Sequence, residues 1–180
     1  MLTRLFGVKR NEIAERLYGA IVAQARQPIF YSAYGVPDTV DGRFEMISLH
    51  MFLVLHRLKA EGAPAAGLAQ DLFDTMFDDM DRSLREMGAG DLGVGKRVRA
   101  MGEALYGRIA AYEAGLATGD GELAEALRRN LFGTVESASG VTTGPLCAYL
   151  RAAAVALGAQ PGASLASGMV RFPAIPVGAA

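Results

Sequence analysis

The sequence predicts an all-α, single-domain bundle of about six helices with an irregular C-terminal tail. Two observations carry that prediction. Apolar residues recur at helical spacing through most of the chain, while alternating β-branched runs are almost absent. The chain has 180 residues, 51% of them hydrophobic and 21% charged, which fits one domain that buries its own core without metals or disulfides.

The elements follow in order. Ile13, Leu17, Ile21 and Val22 form the apolar stripe of a first helix over residues 10–26, which Pro28 ends. The stretch "PIFYSAYGVPDT" reads as an extended linker bounded by two prolines. Asp38 or Thr39 caps a second helix that runs to Glu61. Phe44, Ile47, Met51, Leu55 and Leu58 give it one stripe, and Met46, Leu49, Phe52 and Leu53 widen that stripe. A helix apolar on most sides belongs at the centre of a bundle.

After "EGAPAAG" a third helix turns Leu68, Leu72, Met76, Met80, Leu84 and Met87 inward, with Phe73 and Phe77 beside them. A fourth begins near Asp91 and carries Val94, Val98, Met101, Leu105, Ile109, Tyr112 and Leu116. Ala100, Ala104, Gly107 and Ala111 form a small-residue line along it, where another backbone is expected to pack tightly. Asp120 is expected to cap a short helix bearing Leu123, Leu127 and Leu131. Thr143 and Pro145 open the last helix, with Leu146, Leu150, Ala153 and Leu157 on its inner face. Residues 161–180 are rich in Pro, Gly and Ala and form the tail, so the helical domain spans residues 1–160.

Charge and cysteine content narrow the function. A formal net charge of −1 lacks the basic field of a nucleic-acid binder. Cys147 is the single cysteine, so neither an internal disulfide nor a zinc knuckle can form. The N-terminal stretch has no apolar core of a secretory signal, and the run from Met46 to Leu55 is too short and interrupted to span a bilayer.

"REMGAGDLGVGKRVR", residues 85–99, spells G-x-G-x-x-G and most of a P-loop. Both phosphate motifs need a preceding strand, and here a periodic helix precedes the glycines. Arg97 also stands where a P-loop places Ser or Thr for magnesium. The plainer reading is a helix–helix corner: Gly88 ends one helix in the left-handed region, and Asp91 starts the next.

Asp71, Asp74, Asp78 and Asp81 share one face of the third helix, with Asp79 adjacent. All-α prenyl synthases hold magnesium diphosphate on similar spacings, which makes a helical anion- or diphosphate-binding enzyme the alternative function. Such sites need a second facing cluster, and none exists in the sequence, so a solvated acidic face is the simpler reading. His50 and His56 lack a second His or carboxylate at metal-binding spacing and read as core or rim residues. No catalytic or metal constellation and no cofactor motif stands out.

One long stretch, from Ile29 to Leu131, resembles the ubiquinol–cytochrome c chaperone family. The matching residues run through "FYSAYGVPDTVDGRFEMISLHMFLVLHRL" and then "LFDTMFDDMDRSLREMGAGDLGVGKRVRAMGEALYGRIAAYEAGL". The resemblance implies a non-enzymatic assembly chaperone for the respiratory ubiquinol–cytochrome c reductase, resembling the shorter bacterial forms. It implies a membrane-protein client such as cytochrome b, and a cytoplasmic location with peripheral association at the inner membrane. The signature includes His50, Asp78, Asp79, Asp81, Arg85, Asp91, Lys96, Tyr106, Arg108 and Tyr112. With Asp74 and Arg97 these are the candidate partner-binding residues. The acidic face suits the basic cytoplasmic flanks of a membrane client, and a Met-bearing groove suits its apolar surface.

Overall fold

The computed structural model describes residues 2–86, 88, 91–133 and 143–176, with side chains from Glu12 onward apart from Asp91 and Leu92. Its described elements are α1 (Leu2–Ala25), α2 (Pro28–Ser32), α3 (Val40–Ala60), α4 (Ala63–Glu86), α5 (Asp91–Thr118), α6 (Asp120–Leu131), α7 (Gly144–Gly158) and α8 (Gly162–Ala166). The six longer helices form the expected all-α bundle, and α2 and α8 are five-residue turns between and beyond them.

Central placement of α3 follows from its composition. Every residue from Glu45 to Leu55 is buried, and the helix packs against α1, α4, α5, α6 and α7. Thr39 caps it, its hydroxyl accepting from the Gly42 N–H at 3.1 Å. The capping turn folds so tightly that a Cβ at Gly42 would stand 2.0 Å from the Pro37 carbonyl oxygen.

Four local expectations are corrected. The proline-bounded linker is helical in its first half: Pro28 sits in the first turn of α2, where its missing N–H costs nothing. Burial of Phe30 fixes that turn, its ring edge-on to Tyr149 at 5.1 Å and to His50 at 5.4 Å. Helix α1 also begins well before residue 10. Asp120 is the first residue of α6 and does not cap it; its carboxylate instead accepts from Arg151 Nε at 2.6 Å. Finally, among the described residues no helix packs on the small-residue line at Ala100 and Gly107, which are exposed, although Ala111 at its end packs on the core. The close approach comes farther along α5, where a Cβ at Gly115 would lie 2.8 Å from Leu123 Cα of α6.

The corner between α4 and α5 has the plain geometry. Gly88 adopts φ +85°, and its N–H donates to the Arg85 carbonyl at 2.9 Å. Met87, the Asp91 side chain and residues 89–90 lie outside the described residues.

Residues 161–176 are seated on the bundle. Beyond α8 the chain is irregular, but Val170, Phe172 and Ile175 pack on the core. The Gln160 side chain clamps Arg171 from both sides, donating to its carbonyl at 2.7 Å and accepting from its N–H at 2.9 Å. The Tyr34 hydroxyl donates to the Pro176 carbonyl at 2.7 Å. Among the described residues no helix is long and apolar enough to cross a membrane.

Candidate partner-binding surface

The candidate residues divide into an exposed set on α4 and α5 and a buried set that ties α3 to α5 and α7. On α4, Asp74 and Asp78 face solvent, and Asp74 accepts from Gln70 Nε2 at 2.8 Å. Asp79, half-buried, accepts from the Tyr18 hydroxyl of α1 at 2.8 Å. Burial, together with the Asp79 carboxylate, pushes the Tyr18 hydroxyl far above its ordinary range. Asp81 pairs with Arg85 one turn on, at 2.6 Å. No group of three or more His, Cys, Asp or Glu gathers to hold a metal among the described residues.

On α5, Lys96 and Arg97 are exposed near its start. Tyr106 is 62% exposed, yet its ring stacks on Phe73 of α4 at 5.4 Å, and Phe73 stacks in turn on Phe77. Tyr106 and Phe73 help wall an apolar groove of about 450 Å³ between α3, α4 and α5, floored by Leu55, Ala66, Ala69 and Ile109. At its end Glu113 holds Lys59 at 2.7 Å, and that ammonium keeps the Glu113 carboxyl below its usual range.

Arg108 points the other way, into the bundle. Its guanidinium grips the Glu45 carboxylate of α3 with two nitrogens, Nε at 2.5 Å, and lies over the Phe44 ring at 5.6 Å. Burial raises the Glu45 carboxyl despite the arginine, so desolvation outweighs the pairing. Tyr112 and His50 are closed off from solvent. The Tyr112 ring meets Phe52 of α3 at 5.6 Å. His50 Nδ1 stands 2.8 Å from the Met46 carbonyl, which can only accept, so Nδ1 carries the proton. Nε2 then accepts from the Tyr149 hydroxyl at 2.8 Å, and that hydroxyl accepts from Gln24 Nε2 at 3.0 Å. Of the candidates, His50, Arg108 and Tyr112 thus act on the fold from within, while Asp74, Asp78, Lys96, Arg97 and Tyr106 are open to a partner.

A model of the family described as "Ubiquinol-cytochrome C chaperone" matches residues 32–172. The chain belongs to the ubiquinol–cytochrome c chaperone family. The match runs past the recognised stretch into α7, α8 and the packed tail. A solved structure, the crystal structure of the Cbp3 homolog from Brucella abortus, is similar with 42% identity and a TM-score of 0.83, covering 97% of this chain and 98% of that one. Ubiquinol-cytochrome-c reductase complex assembly factor 1 of Xenopus laevis is 30% identical over 66% of this chain. Protein CBP3, mitochondrial, of Saccharomyces cerevisiae is 33% identical over 58% of it. The chain spans 59% of the length of the Xenopus protein and 32% of the yeast one.

Glu45, Tyr18 and Tyr149 hold candidate residues in place and were not singled out from sequence. Glu45 carries a usable signal, standing directly before the apolar run from Met46 to Leu55 of the central helix, where a buried charge demands a partner. Tyr18 and Tyr149 carry none, because their partners lie on other helices.

Proposed function

We propose that this chain is a non-enzymatic assembly chaperone for the respiratory ubiquinol–cytochrome c reductase, and that it holds newly made cytochrome b before its incorporation. The observation that carries this reading is the family match over residues 32–172, joined to relatives named as assembly factors of that complex. The surface chemistry supports it. An apolar groove beside Tyr106 offers cover to a hydrophobic segment, and Asp74 and Asp78, exposed on α4, attract the basic residues that flank membrane helices on the cytoplasmic side. Such a role needs neither metal nor cofactor, and it fits a location at the cytoplasmic face of the inner membrane.

The test is affinity capture of a tagged chain from cells making cytochrome b, with its loss in cells lacking the chain measured alongside. Co-purification with cytochrome b, and a fall in mature reductase without the chain, are the expected results. Normal reductase assembly in its absence would contradict the reading.

A further inference from the structure

A second groove, on the far side of α5, has a different character. It has a volume of about 780 Å³ and lies between the start of α3, the end of α4, α5 and the end of α6. Its floor is apolar, from Phe44, Leu84, Ala100, Met101, Ala104 and Leu131. Ala100 and Ala104 belong to the small-residue line, and among the described residues no helix packs over this part of it. Arg97 and Arg129 stand at this groove, both exposed, and neither has a carboxylate partner among the described residues. Asn130, in the same wall, is turned to the buried Tyr112 hydroxyl. Arg108, the third arginine of the lining, is already occupied by Glu45.

Two guanidinium groups at the groove thus stand without a carboxylate, against the single carboxylate of Asp41. Val40, at its mouth, is a large apolar side chain left 65% exposed at the first turn of α3. A ligand that matches all three features has phosphate oxygens for the guanidinium groups, an apolar body for the floor, and an apolar phase for Val40. We propose that this groove seats the headgroup phosphate of an anionic phospholipid, and docks this face of the bundle on a membrane surface. Asp41 is the one unpaired carboxylate in the lining, so the lipid's phosphate gains from the two arginines what it loses to a single aspartate. The placement leaves the Tyr106 groove free on the other side of α5. It gives the peripheral location proposed above a site and a lipid class, and it stands apart from the client reading because no cytochrome b is needed to see it.

The experiment is flotation of the purified chain with phosphatidylcholine vesicles, with and without phosphatidylglycerol. The chain should float with the anionic vesicles only. Each cation near such a surface contributes similarly, so Arg97→Gln with Arg129→Gln should cut partitioning roughly 30-fold while the helical content is unchanged. Val40→Ser should weaken it as well, and Arg99→Gln, whose side chain pairs with Glu103 instead, should not. Equal binding to both vesicle types, or anionic binding that the double variant keeps, overturns the proposal. So does retention of an acidic peptide at these arginines by a chain that ignores vesicles. Cytochrome b capture that survives the double variant leaves the client reading intact whatever the vesicles show.

Discussion

The Tyr149 hydroxyl donates to His50 Nε2 across 2.8 Å, joining α7 to the buried centre of α3. The bond requires a neutral imidazole, because a protonated Nε2 would turn donor to donor. Burial enforces the same state and lowers the His50 pKa from 6.5 to about 4, against the opposing pull of the Met46 carbonyl. The unfolded chain takes up a proton near pH 6.5 that the folded chain accepts only near 4. Stability from this site is full above pH 6.5 and is lost as the pH falls through that window, by about 3 kcal/mol at the lower end. Urea unfolding between pH 7 and pH 4 should show the fall, and His50→Gln, which keeps hydrogen-bonding capacity without titrating, should flatten it.

The Glu45–Arg108 pair ties α3 to α5 with both side chains largely out of water. Removing one partner leaves the other buried and uncompensated, at a cost of about 3–5 kcal/mol. Arg108→Met should therefore lower the unfolding free energy by that amount. Adding Glu45→Gln should recover a good part of it, since the orphaned charge is then gone. A double-mutant cycle by urea titration checks both values.

Two glycines of α5 should respond in opposite senses. Gly115 abuts the α6 backbone at Leu123, so Gly115→Ala forces the helices apart and should cost about 1–3 kcal/mol. Gly107 meets nothing within 4 Å of its added Cβ, and Gly107→Ala should stabilise the helix by up to about 1 kcal/mol. Paired thermal melts separate the two.

Asp74 and Asp78 are the solvent-facing members of the acidic face. Reversing both to lysine should leave the melting temperature nearly unchanged, because neither is buried. Capture of a client with basic flanks should drop roughly tenfold, the effect of two exposed charge pairs of ordinary strength. Quantitative pull-down against the parent chain measures it.

These contrasts also explain how much was legible in the residues themselves. The helical class, the central position of α3 and the glycine-ended corner at Gly88 are properties of local pattern, so spacing and capping chemistry expose them. The helix at Pro28–Ser32 is set by the burial of Phe30 against His50 and Tyr149, a contact between distant segments that no local pattern carries. The small-residue line on α5 shows the same limit: its spacing says that a close neighbour fits, while the path of α6 decides that Gly115 receives one and Gly107 does not. Among the candidate residues, charge and signature membership bring out the group, but only burial separates Tyr106 at the surface from Tyr112 inside it.

The central claim is that the surface around α4 and α5 holds a newly made membrane subunit, and a photo-crosslinking residue placed at Tyr106 or Asp78 tests it most directly. Irradiation of living cells followed by identification of the adduct should yield cytochrome b from these positions, and not from a position on α8. Adducts that lack cytochrome b at both positions, in cells assembling the reductase normally, would contradict the account.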